Sequence, residues 1–233
     1  MLRIPFPQKK VTRKKAFEML EILEQTYPEA VTELRYNNPF ELLVAVILSA
    51  QSTDARVNMT TPTLFKRYPT PQNLAAARES DVQEIIHSCG FFRMKSKNII
   101  AAARKIVADH RGEVPSDRDA LEALPGVGRK TANVVMSVAF EGAAIAVDTH
   151  VFRVAHRLGL TLGKTPRDVE NDLEKIVPRE KWRHAHHWLI LHGRAICKAP
   201  VPRCGICPLK RLCPTPPIIT RLTTAKARSR KRA

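Results

Sequence analysis

Residues 40–50, with the sequence FELLVAVILSA, are apolar on nearly every side of a helix. Asn38 before them can cap a helix, and Pro39 suits the first helical position. A buried parallel strand is the competing interpretation, but the proline start, the length and the leucine and alanine content favour a helix. Because a helix that is apolar all round must be covered on all sides, we expect it to lie at the centre of a core.

Helical signals continue along the rest of the chain, and no segment predicts a strand. Ser80 and Ser116 are the predicted caps of two helices. No apolar run approaches the roughly 18 residues that cross a bilayer. The sequence therefore predicts an all-α fold without a membrane span. Besides the apolar helix, predicted helices cover residues 16–27, 53 to beyond 62, 70 onward, 80–90, 97–110, 116–124, 129–140, 148–159, 165 onward and 180–195.

A glycine turn, Gly126-Val127-Gly128, joins two of the predicted helices. Two glycines so close together allow a tight turn with positive φ and a close approach of the backbone to a partner. The next helix begins at once, so its first amides and the positive end of its dipole can bind a phosphate diester. Arg129 and Lys130 lie on this first turn, where the dipole disfavours a cation and favours the neutral, nucleophilic amine of Lys130. The alternative is a turn that simply joins two helices.

The charge of the chain indicates a polyanionic partner such as nucleic acid. The formal net charge is +17 over 233 residues. Residues 1–15 and 214–233 each contain six Lys and Arg and no acid, so these twelve cations leave about +5 for the rest. Both ends are predicted to be basic, flexible tails that add salt-dependent affinity without sequence preference.

Four cysteines fall within one short segment near the C-terminus, in the pattern Cys197-x6-Cys204-x2-Cys207-x5-Cys213. This density of thiols, with one Cys-x-x-Cys pair, predicts a metal site. Zinc and a [4Fe–4S] cluster both take four thiolates, and the spacing leaves the two in balance. Cys89 stands apart on an apolar helical face and is predicted to pack in a core.

Four stretches together closely resemble the endonuclease III family, whose members are bifunctional DNA glycosylases of the helix-hairpin-helix superfamily. The resemblance covers residues 16–213 and includes LSAQ at 48–51. It implies that the metal is a [4Fe–4S] cluster and that duplex DNA lies in a cleft between two lobes. The four stretches are LPGVGRKTANVV at 124–135, AVDTHVFR at 146–153, HWLILHG at 187–193 and the four-cysteine segment.

The resemblance also implies a two-lobed architecture. A six-helix barrel that contains the helix-hairpin-helix is expected over residues 32–142. An iron–sulfur lobe is expected from residues 16–31 together with 143–213. Residues 1–15 and 214–233 flank the two lobes.

By the same resemblance, Lys130 and Asp148 are the expected catalytic residues. Lys130 would attack C1′ of a flipped nucleotide, release the base and form an imine, which permits β-elimination of the 3′ phosphate. Asp148 would accept a proton from Lys130 and stabilise positive charge at the sugar. The alternatives are a plain helix cap for Asp148 and a phosphate contact for Lys130. The related adenine glycosylase lacks this lysine, so Lys130 is the residue that distinguishes the lyase chemistry.

Five further residues are expected to contact DNA. Gln51 matches the residue that fills the gap left by the flipped base, and Phe91 matches a wedge that is usually leucine in the family. A core phenylalanine is the alternative for Phe91. His150 is a candidate active-site residue, and Lys198 and Arg203 could meet phosphates from the loop between the first two cysteines.

These features predict a base-excision-repair enzyme that removes oxidised pyrimidines such as thymine glycol and nicks the abasic site. The alternatives are a mismatch-specific thymine glycosylase or a pyrimidine-dimer glycosylase of the same fold, or a non-catalytic DNA-binding iron–sulfur module. The partner is duplex DNA with damaged bases or abasic sites and not a membrane, and a monomer is expected. The N-terminus does not resemble a signal peptide, so a cytoplasmic, nucleoid-associated protein is expected. A nuclear address at 226–232 is the alternative to a phosphate-binding tail.

Overall fold

The computed structural model of the chain describes residues 5–216 and 219. The described residues form α-helices and two short 3₁₀ helices, at Arg179–Lys181 and Cys204–Ile206, and contain no strand. The all-α prediction is confirmed. None of the described helices has the length and apolar character needed to cross a membrane. The α-helices are α1 (Arg13–Thr26), α2 (Pro39–Ser49), α3 (Asp54–Arg67), α4 (Pro71–Ala75), α5 (Glu79–Ile86), α6 (Phe92–His110), α7 (Arg118–Glu122), α8 (Arg129–Ala139), α9 (Thr149–Arg157), α10 (Pro166–Ile176) and α11 (Trp182–Ala195).

The chain divides into two compact units. Unit 1 comprises the described residues of Met1–Val31 and Ile145–Ala233, and unit 2 comprises Thr32–Ala144. Unit 2 contains α2 to α8, and unit 1 contains α1 and α9 to α11. The assignment of a barrel lobe and an iron–sulfur lobe to particular residues stays a prediction.

Helix α2 forms the centre of unit 2. Every residue from 40 to 48 is buried, and α3, α6 and α8 pack against the helix. Asn38 caps it by accepting a hydrogen bond from the Glu41 amide at 2.9 Å. The buried Glu41 carboxylate accepts hydrogen bonds from the backbone amide of Asn37 at 2.7 Å and from its side chain at 2.9 Å. The predicted central helix, with its proline start, is therefore confirmed.

In unit 1, α9 packs closely against α11. The approach occurs at Gly193, where an added Cβ would lie 3.1 Å from side-chain atoms of both His150 and Val154. Helix α1 covers α11, and α10 packs on α1 and α9. The shared core contains large apolar side chains that are almost fully buried, among them Met19, Leu23, Val151, Leu173, Trp188 and Leu189.

Two of the predicted helix starts are wrong by a few residues. Helix α5 has Arg78 at its N-cap without a side-chain cap, so Ser80 lies inside the helix. Helix α7 is capped by Asp117, whose Oδ1 accepts a hydrogen bond from the Ala120 amide at 2.9 Å, and not by Ser116. Several neighbouring polar residues can cap the unpaired backbone amides at a helix start, and the local sequence does not decide which of them does so.

The structure also differs from the expected flexible tail at residues 5–15. The Phe6 ring stacks on His156 with 4.5 Å between ring centroids, and the Lys10 ammonium pairs with Asp172 at 2.7 Å. Pro7 is buried, and Val11 packs against the core of unit 1.

The start of the second predicted tail also packs, because Thr215 is 1% exposed and its hydroxyl donates to the Arg157 carbonyl. Positions 1–4, 217, 218 and 220–233, which include the candidate nuclear address, lie outside the described residues.

Candidate active site and cysteine centre

The turn between α7 and α8 contains two glycines with different roles. Gly126 has φ +79°, and an added Cβ would lie 2.8 Å from Cβ of Asn98 on α6. Gly128 has φ −98°, and an added Cβ would meet no described atom within 4 Å. The predicted positive φ is therefore confirmed for Gly126 and wrong for Gly128. Gly128 instead leaves open space in front of the first turn of α8.

The first turn of α8 presents backbone amides and two cations. Gly128 is the N-cap, and it has no side chain that could cap these amides. Lys130 is exposed, and Arg129 forms an ion pair with Glu122 at 3.3 Å. Val127 is only 6% exposed, and its amide donates to the Leu124 carbonyl at 3.1 Å. A helix start of this kind can bind a phosphate.

Asp148 caps the N-terminus of α9. Its Oδ1 accepts a hydrogen bond from the Val151 amide at 2.8 Å, and its carbonyl accepts one from Phe152 at 2.9 Å. The carboxylate is half-buried. The capping role is therefore confirmed, and this hydrogen bond holds the carboxylate in a fixed orientation at the helix start.

His150 lies on the first turn of α9, half-buried beside Arg153. Its Nδ1 is 3.1 Å from Nη2 of Arg153 and accepts a hydrogen bond from it. Burial is the main cause of a lowered pKa of His150; the Asp148 carboxylate opposes the shift, and Arg153 and Arg194 add to it. The imidazole is therefore neutral near pH 7, where it can accept a hydrogen bond but carries no charge.

Two arginines of α9 hold the start of the cysteine segment. Arg153 donates from Nε to the carbonyl of Cys197 at 3.1 Å. Arg157 is 4% exposed and donates to the carbonyls of Lys198 at 2.7 Å and Pro200 at 3.0 Å. The helix that begins at the capping carboxylate therefore also positions the cysteine segment.

The four cysteines of this segment line one cavity together with Arg157. Nη1 of Arg157 lies 3.7 Å from the Cys197 sulfur. Burial raises the pKa of the Cys213 thiol to about 11, and burial also raises the pKa of Cys204 and Cys207. Among the residues that the structure describes, no three His, Cys, Asp or Glu side chains are grouped so as to hold a single metal ion.

This donor set fits a [4Fe–4S] cluster. Each iron of such a cluster takes one thiolate, and four thiols around a cavity can supply one each. A zinc ion would instead draw all four sulfurs to about 2.3 Å from one point. Buried thiols must lose their protons to bind, and a cationic group in the cavity together with Arg157 would stabilise the resulting negative charge.

His192 connects α1 with the cysteine segment. Its Nδ1 lies 3.2 Å from the Tyr27 hydroxyl, and its Nε2 lies 3.6 Å from the Cys207 sulfur. Burial lowers the pKa of His192 to about 4, so the ring is neutral near pH 7. A neutral ring satisfies both contacts when Tyr27 donates to Nδ1 and Nε2–H donates to the sulfur.

Two exposed turns of unit 2 carry Gln51 and Phe91. Both residues have left-handed backbone, with φ of 55° and 58°. This conformation is uncommon for residues other than glycine and persists where the surrounding structure holds it. The Phe91 side chain is 60% exposed, so the alternative of a core phenylalanine is wrong.

Comparison with known proteins identifies the family. A family model of the HhH-GPD superfamily base excision DNA repair protein matches residues 44–179. Endonuclease III of Rickettsia conorii is 52% identical over 196 residues, which cover 84% of this chain and 93% of the relative. Endonuclease III of Escherichia coli strain K12 is 48% identical over 203 residues, which cover 87% and 96%. The chain belongs to the endonuclease III family.

A solved endonuclease III structure is similar along nearly the whole chain. That protein is a trapped covalent intermediate with DNA, described as an estranged-adenine complex. It matches with a TM-score of 0.86 and 46% sequence identity, over 91% of this chain and 99% of the other. The helix-hairpin-helix glycosylase fold expected from the resemblance is thereby confirmed.

In this endonuclease III family member, the predicted site residues are divided between the two units. Unit 2 contains the glycine turn, Lys130 and the turns of Gln51 and Phe91. Unit 1 contains Asp148 and His150 on α9, next to the cysteine segment that α9 holds. Between the first two cysteines, Lys198 is half-buried and Arg203 is exposed. The DNA contacts of these residues stay predictions.

Sequence reasoning missed the structural roles of two buried cations, Lys95 and Arg157, and of the half-buried Arg153. Lys95 is 5% exposed and lies four residues before the fully buried Ile99 on α6. A lysine in register with the apolar face of a helix is the signal that could have identified it, because an unpaired buried ammonium is costly. The sequence pattern does not say which carbonyls such a cation reaches.

The two glycines of the turn provide a matched pair of substitutions. We expect Gly126→Ala to destabilise the protein by about 2 kcal/mol or more, since alanine disfavours this φ and meets Asn98. Gly128→Ala should cost less than about 1 kcal/mol but weaken binding to duplex DNA about 10-fold, because its methyl group would stand where a phosphate approaches. Thermal unfolding and fluorescence anisotropy measure the two effects. Wild-type affinity in Gly128→Ala would show that no phosphate comes close to this turn.

Proposed function

We propose that this protein removes oxidised pyrimidines such as thymine glycol from duplex DNA and then nicks the abasic site. The observation that carries the proposal is the likeness, over 91% of the chain, to an endonuclease III trapped covalently on DNA. An exposed lysine on the open first turn of α8 supports the same chemistry. Excision requires a nucleotide flipped out of the duplex and a nucleophile at its C1′.

Lys130 is the proposed nucleophile. Its neutral amine attacks C1′, the bond from C1′ to the base breaks, and the base leaves with the bonding electrons and takes up a proton. Loss of the amine proton and opening of the sugar yield an imine between Nζ and C1′. Removal of a C2′ proton then expels the 3′ phosphate by β-elimination, and hydrolysis of the imine regenerates the lysine.

Asp148 is the proposed carboxylate partner. Its hydrogen bond to the Val151 amide fixes the side chain, so the negative charge is preorganised for positive charge that develops at the sugar. The same carboxylate accepts the proton that Lys130 must lose before it attacks. Capping and catalysis are compatible, because a carboxylate can accept several hydrogen bonds.

The remaining predicted residues are proposed to bind the DNA. The turn of Gly126, Val127 and Gly128, with Arg129, would bind a backbone phosphate at the start of α8, through amides other than that of Val127, which donates to the Leu124 carbonyl. Gln51 and Phe91 would enter the duplex, with Gln51 filling the gap and Phe91 separating bases of the opposite strand. The exposed aromatic ring at Phe91 supports this role, since an apolar wedge needs free access to the base stack.

Residues of the α9 and cysteine region are proposed to position the DNA. The neutral imidazole of His150 would accept a hydrogen bond near the reacting nucleotide. The loop with Lys198 and Arg203 would meet phosphates, and its carbonyls are already held by Arg157. In keeping with the family, the four cysteines would hold a [4Fe–4S] cluster, which would keep this loop rigid when bound. We also propose that the protein acts as a monomer on chromosomal DNA in the cytoplasm.

Substitution of Lys130 tests the proposed nucleophile. In Lys130→Ala, borohydride trapping on thymine-glycol and abasic-site duplexes should disappear, and excision should fall by roughly 10³-fold or more, because no amine can form the imine. Lys105→Ala, which removes an exposed lysine paired with Asp109, should trap as the wild type does. Excision that survives Lys130→Ala would refute the mechanism. If the wild type is trapped on the abasic duplex but not on the thymine-glycol duplex, the protein is a lyase whose base substrate is not thymine glycol. Duplexes with a thymine mismatch or a pyrimidine dimer would then be tested.

Two substitutions of Asp148 separate capping from catalysis. Asparagine caps helices as well as aspartate, so Asp148→Asn should change the unfolding free energy by less than about 0.5 kcal/mol, whereas Asp148→Ala should cost about 1 kcal/mol. Both variants should lose excision by about 10² to 10⁴-fold in single-turnover assays, since neither carries the charge. Full activity of Asp148→Asn would leave the residue as a helix cap only.

Iron and sulfide analysis tests the cysteine centre. The purified protein should contain about four irons and four sulfides per chain, with visible absorption of an iron–sulfur cluster. Cys204→Ser should lose most of this iron, whereas Cys89→Ser, at a buried cysteine of unit 2, should keep it. One zinc and no sulfide per chain would instead establish a zinc site.

A further inference from the structure

Lys95 contacts both of the turns that carry Gln51 and Phe91. Its backbone amide donates to the Phe91 carbonyl at 3.0 Å. Its ammonium donates to the Leu48 carbonyl at 2.7 Å and to the Ser52 hydroxyl oxygen at 2.9 Å. The turn of Gln51 lies between these last two residues in the chain. The side chain of this buried residue therefore connects the end of α2 with Ser52 across the Gln51 turn, and its backbone makes the first hydrogen bond of α6, directly after Phe91.

The two turns also contact each other directly. The Gly90 amide donates to the Ser52 hydroxyl oxygen at 3.2 Å. An added Cβ on Gly90 would lie 3.2 Å from the Gln51 carbonyl oxygen, so the backbones approach as closely as a glycine permits. Ser52 thus accepts hydrogen bonds from both Lys95 and Gly90, and the three groups form a continuous connection between the turns.

Several features indicate that this connection is needed to hold the turns in place. Gln51 and Phe91 both have left-handed backbone, which a chain keeps only where other contacts enforce it. Helix α2 ends at Ser49, and its last carbonyls, including that of Leu48, have no intrahelical partner. The Lys95 ammonium satisfies one of these carbonyls at the negative end of the helix dipole. Burial of this ammonium is tolerated because the Leu48 carbonyl and the Ser52 hydroxyl oxygen accept its hydrogen bonds.

We propose that Lys95 is a positioning residue that holds the Gln51 and Phe91 turns as one preformed element for entry into the gap of a lesion-containing duplex. The inference rests on the proposed function, in which both turns enter the DNA. An element fixed before binding does not lose conformational freedom when it enters the duplex, and its affinity for the gap is higher for that reason. An undamaged duplex has no gap for the two turns to enter, so the affinity for undamaged duplex does not depend on the contacts of Lys95.

Substitution of Lys95 and of Ser52 tests the inference. Lys95→Met keeps most of the side-chain stem and removes the donors, and Ser52→Ala removes the shared acceptor. We expect each variant to bind a duplex with a tetrahydrofuran abasic-site analogue about 10-fold more weakly than the wild type, with unchanged affinity for the same duplex without the lesion. The fluorescence change of a 2-aminopurine placed opposite the analogue should fall in both variants.

A double-mutant cycle separates positioning from general destabilisation. If Lys95 acts through Gln51 and Phe91, adding Lys95→Met to a protein that already carries Gln51→Ala and Phe91→Ala should not weaken binding to the lesion duplex any further. As a control, Ile99→Val leaves a small cavity beside the same helix. It should lower the melting temperature and leave binding to the lesion duplex unchanged. The inference is overturned if Lys95→Met binds the lesion like the wild type, loses both duplexes equally, or adds to the combined effect of Gln51→Ala and Phe91→Ala.

Failure of the proposed function gives a different result. If Gln51→Ala and Phe91→Ala bind the lesion duplex like the wild type, the turns do not enter the DNA, and the inference about Lys95 falls with that assignment. If those two variants lose affinity and Lys95→Met does not, the assignment of the turns stands and only the role of Lys95 is overturned.

Discussion

The ends of the helices are the constraint on which the functional residues depend. Each end leaves backbone groups without an intrahelical partner, and other groups must satisfy them. Asp148 does so at the start of α9, and Lys95 does so at the end of α2 through the carbonyl of Leu48. At the start of α8 the N-cap is Gly128, which has no side chain to cap the amides, and the proposed nucleophile Lys130 lies there. The polar chemistry therefore lies where helices begin and end, and the apolar faces between them form the cores.

Close backbone contacts determine how rigidly these ends are held. Gly193 allows α11 to approach α9 so closely that an added Cβ would lie 3.1 Å from His150. Gly90 approaches the Gln51 carbonyl in the same manner. Gly128 has the opposite surroundings, with open space at the position of its missing side chain. Glycine therefore serves packing within the protein at two positions and access for a partner at the third.

Positive charge has two separate roles in this protein. Buried cations such as Lys95 and Arg157 donate to backbone carbonyls and connect segments that are distant in the chain. Cations such as Lys130 and Arg203 are instead exposed at the protein surface. The net charge of +17 counts both groups alike, so composition indicates a nucleic-acid partner but not which residues bind it.

The sequence by itself determined the all-α fold, the buried helix α2, the glycine turn and the cysteine segment, because each depends on local periodicity or spacing. Tertiary structure decided the start of α6, which begins at Phe92 after the left-handed Phe91 rather than at residue 97. It also decided the packing of residues 5–15 and the partners of Lys95. The physical reason is distance along the chain. Lys95 and Leu48 are 47 residues apart, so local sequence does not show that they form a hydrogen bond. A buried charge or a left-handed turn is stable only when the folded chain supplies such a contact.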